Sequence, residues 1–308
     1  MKRLTLAGGI PDDFRGSILA LGNFDGFHLG HQAVVSRAIA RGFHERRPVI
    51  VATFDPHPVK YFKPDVPPFR LMTLDQRQIL FARDGADAML VFEFGAELAS
   101  MDAEEFVSQV LAKRIGATGV ITGDDFNFGK GRRGDAALLA EVGAEHGVKA
   151  EAVPQVELDG ERISSGRIRD ALIAGDTATA THMLSRDYAI EGLVQRGDAR
   201  GRELGYPTAN LELGDYLRPK YGIYAVRVTL DDGSEHPGVA SLGVRPTFEP
   251  ARELLEAHLF DFDGDLYGRK IEVALHAYMR SEQKFDSAEA LVAEMRNDEA
   301  QARKLLHQ

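Results

Sequence analysis

The chain has 308 residues, more than one hydrophobic core usually serves, which predicts two domains of about 150 residues each. Its 44% hydrophobic and 27% charged residues are typical of a globular protein and exclude a disordered or fibrous chain. The net charge of −10 argues against general nucleic-acid binding, and the absence of cysteine excludes disulfides, thiolate nucleophiles and cysteine-based zinc sites.

No targeting or membrane-spanning segment is predicted. The residues after Met1 are charged or lead into a Gly-Gly pair, so they do not form the apolar segment of a signal peptide. No apolar run approaches the roughly 18 residues that a membrane helix needs. We therefore expect a cytoplasmic protein with no membrane partner.

Residues 17–154 alternate short apolar runs with stretches of helical periodicity. This order predicts an α/β domain with a doubly wound parallel sheet, in which ligands bind beyond the carboxyl ends of the strands. The predicted strands are Ser17–Leu21, Pro48–Phe54, Ala88–Phe92, Gly119–Thr122 and Ala150–Val153. Two helix starts are predicted from capping-box spacings, Thr73 with Gln76 and Asp102 with Glu105.

The first of these strands is followed by Gly-Asn-Phe-Asp-Gly-Phe-His-Leu-Gly-His, residues 22–31, and then by a predicted helix to about Gly42. Small residues let the backbone turn tightly, and the start of a helix offers unpaired N–H groups to an anion. His28 and His31 are three residues apart and face the same way on a helical turn. The positive helix end disfavours their protonation, so we expect two neutral donors to a triphosphate. The alternative is a strand–helix turn with two surface histidines.

Two further loops follow predicted strands. Residues 53–58 lead into a proline-rich stretch that ends at Pro68, which fits a substrate lip or a plain connection equally well. Residues 123–134 hold Phe126 and Phe128 beside four glycines. Either a planar aromatic ligand stacks on these rings or the loop folds them inward.

Residues 163–169, Ile-Ser-Ser-Gly-Arg-Ile-Arg, open another predicted helix and place hydroxyls and guanidiniums at its positive end, although serine there also serves simply as a cap. With His-x-Gly-His at the first helix, this segment resembles the HIGH-type nucleotidylyltransferase superfamily. The strings 22–31, 53–58, 123–134 and 163–169 are similar to the adenylyltransferase half of bacterial bifunctional FAD synthetases. Gly166 departs from the threonine that is usual in that family, which removes one possible hydroxyl contact to phosphate.

The resemblance implies a Rossmann-like domain that moves AMP from ATP onto the phosphate of FMN and releases pyrophosphate. Such a transfer needs no protein nucleophile, so catalysis is alignment and charge neutralisation. The residues that the resemblance assigns to the transfer are His28, His31, Arg167 and Arg169. Those that it assigns to ATP binding are Gly22, Asn23, Phe24, Asp25, Gly30, Ser164 and Ser165. Those on the flavin side are Phe62, Asp125, Asn127 and Phe128.

The pattern changes near residue 176, where Gly175-Asp176-Thr177 opens a short helix that ends around Arg186. From Tyr188, strand-like alternation broken by turns predicts a small antiparallel β-barrel. A final helix is predicted from about Ser287, with Asp286 and Glu289 at capping-box spacing. We therefore expect two domains, residues 1–186 and 187–308, and expect the second to fold alone.

Residues 200–210 form a loop punctuated by glycine and proline that ends in Thr208 and Asn210, whose oxygens suit Mg²⁺. A turn followed by a strand also explains this string. In the strand at residues 254–260, alternation separates Glu256 from the face that carries Leu255. Taken alone, Glu256 reads as an ordinary half-exposed carboxylate.

Together with residues 219–225, 238–248 and 255–268, these strings are similar to the riboflavin kinase barrel. The resemblance implies that Thr208 and Asn210 help to hold ATP and Mg²⁺. It implies that Glu256 is the general base that activates the terminal hydroxyl of riboflavin. The remaining ATP contacts that it implies are Gly201, Arg202 and Gly205. Val244 departs from the threonine that is common in the family.

Both halves stand in the order found in bifunctional FAD synthetases, which implies that the barrel makes FMN from riboflavin and that the α/β domain then makes FAD. ATP is the co-substrate of both steps. Two alternatives stay open. An adenylyltransferase for another phosphorylated substrate would leave the barrel without a task, and a non-catalytic flavin-binding protein would need neither magnesium ligands nor a base.

Overall fold

The computed structural model describes residues 1–196, 205–245 and 252–307. Packing divides the chain into two units. The N-terminal unit comprises Met1–Pro67 and Leu74–Ser164, and the C-terminal unit comprises Pro68–Thr73 and Ser165–Gln308. Packing thus places residues 165–186 with the C-terminal unit, while a functional boundary near residue 186 stays a prediction.

The N-terminal unit is built on a six-stranded sheet in which every neighbouring pair is parallel. Its strands are β1 (Lys2–Thr5), β2 (Ile18–Leu21), β3 (Val49–Asp55), β4 (Ala88–Glu93), β5 (Gly119–Gly123) and β6 (Lys149–Val153), in the order β1-β4-β3-β2-β5-β6. The five predicted strands are confirmed. The sixth, β1, carries the polar sequence Lys-Arg-Leu-Thr, so its pattern did not mark it as a strand.

The inner strands are apolar on both faces, as expected for a parallel sheet covered by helices. The helices are α1 (Leu29–Glu45), α2 (Pro58–Phe62), α3 (Leu74–Asp84), α4 (Ala96–Ser100), α5 (Ala103–Glu105, continuing in π-helical form over Phe106–Ile115) and α6 (Ala136–Glu145). A two-stranded hairpin, β7 (Glu157–Leu158) with β8 (Glu161–Arg162), follows the sheet. Asp102 occupies the N-cap of α5 without a side-chain hydrogen bond, so the predicted capping box there is wrong.

The strand order brings together the loops that follow β2, β3 and β5, which carry the sequence motifs of residues 22–31, 53–58 and 123–134. The chain proceeds from β2 through β3 to β4 on one side, whereas β5 pairs with the opposite side of β2. Such a switch point, at the carboxyl ends of the strands, is where open α/β sheets bind ligands. The loops after β3, β2 and β5 therefore leave three adjacent strands at the same edge of the sheet.

The C-terminal unit is a six-stranded antiparallel sheet that closes into a barrel. Its strands are β9 (Tyr188–Leu193), β10 (Ala209–Glu212), β11 (Gly222–Thr229), β12 (Glu235–Arg245), β13 (Arg252–Leu259) and β14 (Lys270–Arg280), in the order β10-β13-β12-β11-β14-β9. The two ends of this order are linked where Gln195 N donates to Asn210 O at 2.9 Å. The predicted small antiparallel barrel is confirmed.

The described part of this unit also contains three helices and one short segment. Helix α7 spans Ser165–Ala174, and α8 spans Thr177–Leu184, with Asp176 as its N-cap as predicted. The C-terminal helix, Ala288–Leu305, is capped by Ser287, so the predicted pair of Asp286 and Glu289 lies one residue too early. The segment Pro68–Thr73 pairs with the unit through Arg70, which bridges to Tyr216.

Candidate active sites

The histidine pair lies at the start of α1, directly after β2. His28 is the N-cap of this helix, and its Nδ1 accepts a hydrogen bond from the backbone N–H of His31 at 3.3 Å. The two rings stack with centroids 3.6 Å apart and an interplanar angle of 18°, so the prediction that they face the same way is confirmed. Because Nδ1 of His28 accepts, the proton of the neutral ring is on Nε2, which leaves Nε2–H as a donor.

Two glycines of this loop provide the space that the arrangement requires. A Cβ on Gly30 would lie 3.1 Å from Cε1 of His28, so glycine lets the His28 ring fold back over the helix start. A Cβ on Gly22 would lie 3.1 Å from Cζ of Phe24. Both predicted ATP-site glycines thus shape the loop through close approach of a neighbouring ring.

The loop between β2 and α1 has a strained backbone and a buried interior. Phe24 and Phe27 are left-handed, with φ of 50° and 42°, a conformation that costs a non-glycine residue about 1–2 kcal/mol. Asp25 is 1% exposed and forms an ion pair with Arg77, with Oδ1 and Nη2 3.4 Å apart. The side chains of Phe24 and Asp25, both predicted to bind ATP, therefore lie inside the unit, and an ATP contact at these positions would use the backbone.

The predicted flavin-side residues divide into an exposed and a buried group. Phe62 is 63% exposed, and its ring makes edge contacts with Tyr61 and Phe94 at centroid distances of 5.2 and 5.7 Å. Phe128 is only 7% exposed and stacks on Phe126, with centroids 5.9 Å apart, which is the inward-folded alternative. Sequence reasoning missed Tyr61 and Phe94, although Tyr61 is adjacent to Phe62. A flavin contact for Phe62 or Phe128 stays a prediction.

The other two flavin-side candidates form a polar cluster in the loop after β5. Asn127 Nδ2 donates to the carbonyl oxygen of Asp125 at 2.7 Å, and the Asp125 carboxylate pairs with Arg162 on β8. Both side chains of this ion pair are about half exposed. They therefore lie at the surface of the unit, where a polar group of a ligand can reach them.

The serine–arginine segment lies at the start of α7. Ser164 precedes this helix, and Ser165 and Gly166 are its first two residues, so Gly166 has a helical backbone that threonine can also adopt. Arg169 Nε donates to the carbonyl oxygen of Phe69 at 2.8 Å, and its guanidinium lies 5.2 Å from the centroid of the Phe69 ring. Arg169 thus holds the segment Pro68–Thr73. The predicted roles of Ser164, Ser165, Arg167 and Arg169 in adenylyl transfer stay predictions.

In the barrel, the register brings the predicted kinase residues together. Asn210 on β10 is directly opposite Glu256 on β13, and Glu256 is directly opposite Ser241 on β12. Residues directly opposite in an antiparallel pair point to the same face of the sheet. Asn210, Glu256 and Ser241 therefore form a row across three strands. Ser241 was not predicted from the sequence, because register is visible only once the strands are paired.

The side chain of Asn210 fits a magnesium ligand. It is 5% exposed, and its Nδ2 donates to the carbonyl oxygen of Thr208 at 3.4 Å. Within residues 1–196, 205–245 and 252–307, no group donates to its buried Oδ1. A buried oxygen without a donor is costly, and amide oxygens are ligands that Mg²⁺ accepts. Those same residues hold no cluster of three acidic or histidine side chains that could bind a metal. The Thr208 hydroxyl and the Asn210 amide stay the predicted magnesium ligands.

His258 anchors the chain just before Thr208. Its Nδ1–H donates to the carbonyl oxygen of Pro207 at 2.8 Å, and the buried ring of Tyr206 packs edge-on against it with centroids 5.0 Å apart. Burial raises the pKa of Tyr206. Strand alternation in the sequence already places His258 on the face of Glu256, but no role is predicted for His258 from the sequence.

The remaining kinase-site predictions fall at the ends of described segments. Gly205 has a left-handed backbone with φ of 83° and begins the described stretch that leads to Thr208. Gly201 and Arg202, predicted to contact ATP, lie outside the described residues, as do positions 246–248. Val244, the departure from the family pattern, is on β12 and is exposed.

Each half of the chain matches a model of a known protein family. Residues 10–167 match the family model described as FAD synthetase, and residues 184–306 match the model described as riboflavin kinase. The first range contains the histidine pair, and the second contains Asn210 and Glu256.

Curated relatives match almost the whole chain. A bifunctional riboflavin kinase/FMN adenylyltransferase of Pseudomonas fluorescens is 41% identical over 294 residues, covering 95% of this chain and 94% of the relative. The protein of the same name from Escherichia coli strain K12 is 40% identical over 288 residues, covering 94% and 92%.

A solved structure is also similar. A crystal structure named as a macrolide-efflux protein from Streptococcus pneumoniae is 30% identical, with a TM-score of 0.87 and coverage of 98% of this chain and 99% of that one. In this chain, none of the helices that the structure describes is long and apolar enough to cross a membrane. The two family models and the curated relatives name the same two activities, and the chain belongs to the bifunctional riboflavin kinase/FMN adenylyltransferase family.

Proposed function

We propose that this chain makes FAD from riboflavin in two ATP-dependent steps, with a separate set of residues for each. The C-terminal barrel phosphorylates riboflavin to FMN, and the predicted domain of residues 1–186 transfers AMP from ATP to FMN. The observation that carries the proposal is that each family half holds its own constellation: His28 stacked on His31 at a helix start, and Asn210 aligned with Glu256 across two strands.

In the adenylyl transfer, the FMN phosphate attacks the α-phosphorus of ATP, and the bond from that phosphorus to the leaving pyrophosphate breaks. The Nε2–H of His28 and the ring of His31 donate hydrogen bonds to phosphate oxygens as negative charge moves onto the pyrophosphate. The N–H groups at the start of α1 add their partial positive charge. The resemblance to FAD synthetases adds Arg167 and Arg169 as sources of positive charge, and Ser164 and Ser165 as hydroxyl donors.

In the kinase reaction, Glu256 takes the proton from the terminal hydroxyl of riboflavin as this oxygen attacks the γ-phosphorus and ADP leaves. Thr208 and Asn210 hold Mg²⁺, which neutralises charge on the ATP phosphates when it is bound. His258 contributes by fixing the backbone at Pro207, directly before Thr208.

The proposal includes Mg²⁺ as the cofactor of both reactions and a cytoplasmic location. It includes no nucleic-acid or membrane partner, which agrees with the net charge of −10. The flavin substrate of the N-terminal unit meets the exposed Phe62 and the polar groups of Asp125 and Asn127, while Phe128 supports that loop from inside.

One incubation tests the proposal. Purified protein is supplied with riboflavin, ATP and MgCl₂, and the flavins are separated chromatographically over time. FMN should appear first and FAD later, and chelation of Mg²⁺ should stop both. A protein that consumes ATP with another phosphorylated substrate, or that binds flavin without converting it, would contradict the proposal.

A further inference from the structure

Helix α3 presents two buried side chains to the loop that carries the histidine pair. Arg77 and Phe81 are four residues apart, so they lie on one face of the helix, and both are almost fully buried. The Phe81 ring makes edge contacts with Phe24 at 5.7 Å and with Phe27 at 5.0 Å. Phe24 and Phe27 both have left-handed backbones, so α3 packs against the strained part of the loop.

Arg77 adds directed hydrogen bonds to this packing. Its Nη1 donates to the carbonyl oxygen of Asn23 at 3.2 Å and to Oγ1 of Thr53 at 3.0 Å, and its Nη2 donates to Oδ1 of Asp25 at 3.4 Å. The Thr53 hydroxyl in turn donates to the carbonyl oxygen of Asn23 at 2.8 Å. One guanidinium and one hydroxyl thus hold the loop on both sides of Phe24.

Stability alone does not account for a buried arginine at this position. Removing a cation and a carboxylate from water is costly, and an apolar pair of similar volume often gives a fold that is equally stable. What an apolar pair cannot provide is a planar fork whose two arms bind two different groups of the loop. A left-handed phenylalanine persists only where its surroundings enforce it.

We infer that Arg77, assisted by Thr53, is a positioning residue for adenylyl transfer. It fixes the backbone from Asn23 to Asp25, which determines where Gly26 to His28 deliver the His28 ring. Arg77 itself is buried beneath the loop and acts through it. The inference rests on the proposed role of His28 and His31 as phosphate donors.

Three variants of the full-length chain test this role. Thr53→Val keeps the shape of the side chain but removes the hydroxyl, and Thr53→Ser restores the hydroxyl. Arg77→Lys keeps the buried positive charge but replaces the two-armed fork with a single ammonium. Riboflavin phosphorylation by the same preparations measures the concentration of active protein, because its proposed residues are in the other unit.

For Thr53→Val and Arg77→Lys, we expect kcat of FAD formation from FMN to fall about 10- to 100-fold, the range expected when reacting groups are displaced by up to an ångström. KM for ATP should stay within about threefold, because the displaced donor, His28, is proposed to stabilise mainly the charge that develops in the transition state. The loss should persist far below the thermal unfolding transition of each variant, and Thr53→Ser should recover most of the rate. Imidazole ¹⁵N spectra should show the Nε2–H tautomer of His28 in the wild type and a mixture of tautomers in Thr53→Val.

Several results would overturn the inference. One is that Thr53→Val has the same kcat as Thr53→Ser. Another is that the loss of kcat disappears on cooling in proportion to the rise of the folded fraction, because the role would then be purely structural. If Arg77→Lys does not fold, the comparison of Thr53→Val with Thr53→Ser alone tests the positioning role. His28→Ala and His31→Ala distinguish failure of the proposed phosphate site from failure of the positioning role. If these two variants still form FAD, the proposed phosphate site is wrong. If they abolish FAD formation and Thr53→Val does not reduce it, only the positioning role is wrong.

Discussion

Replacing Glu256 with glutamine removes the proposed base of the kinase reaction and keeps the size of the side chain. Glutamine has the same shape, and the register with Asn210 and Ser241 depends on the backbone, so the barrel should keep its fold. A positioned general base contributes about 10²–10⁴-fold. We therefore expect kinase kcat to fall by that factor, which corresponds to about 2.7–5.4 kcal/mol of activation free energy. FAD formation from supplied FMN should not change.

The same strand offers a matched control. Glu253, three residues earlier, is on the opposite face, where its carboxylate accepts from Arg218 Nε at 2.8 Å and from the Tyr221 hydroxyl. Burial, together with this bond to Glu253, raises the pKa of Tyr221 to about 12, so the phenol stays a donor near neutral pH. Glu253→Gln removes an identical charge, and because the pair is partly exposed we expect it to cost at most about 1 kcal/mol of stability and to leave kinase kcat unchanged.

Chromatographic measurement of FMN and FAD with both variants distinguishes the roles of the two carboxylates. Equal loss of both activities in Glu256→Gln would refute a kinase-only site. Equal effects of Glu253→Gln and Glu256→Gln on kinase kcat would also refute the reasoning, since a general charge effect would then explain both.

The remaining predictions concern two substitutions and two fragments. His31→Ala should lower FAD synthesis from FMN about 10²-fold, as loss of a preorganised donor does, with riboflavin phosphorylation retained; a change within about twofold would contradict the phosphate site. Asn210→Ala should raise the Mg²⁺ concentration needed for half-maximal kinase activity, measured by titration, while the Mg²⁺ dependence of FAD synthesis stays the same. A fragment of residues 165–308 should convert riboflavin to FMN but make no FAD. A fragment of residues 187–308 should unfold at a lower temperature than residues 165–308, because it lacks α7 and α8 with their buried Leu172 and Met183.

Much of the fold was predictable because its elements carry strong local patterns. Five strands of the parallel sheet are short apolar runs with clear breaks between them, and Asp176 marks its helix by ordinary capping chemistry. The exceptions have weak local signals. Strand β1 is polar in sequence and owes its place to pairing with β4. The segment Pro68–Thr73 joins the C-terminal unit through the bridge from Arg70 to Tyr216 and through the contacts of Arg169 with Phe69, and these partners are distant in sequence.

The candidate sites were predictable to the extent that short strings carry them. His28 and His31 are adjacent because three residues make one helical turn, and that spacing is visible in the sequence. Arg77 was not predictable, because its partners are about 24 to 54 residues away and a lone arginine in an amphipathic helix resembles a solvated charge. The direction of a loop side chain is equally hidden, so the burial of Asp25 and Phe128 appeared only in the fold.

The central claim is that two independent sets of residues perform the two steps, and a mixing experiment tests it most directly. Glu256→Gln and His31→Ala are each incubated with riboflavin and Mg-ATP, alone and then together. Glu256→Gln alone should make little FMN, His31→Ala alone should accumulate FMN without FAD, and the mixture should make FAD because free FMN passes from one variant to the other. A mixture that makes no more FAD than either variant alone, although both proteins are folded, would contradict the account.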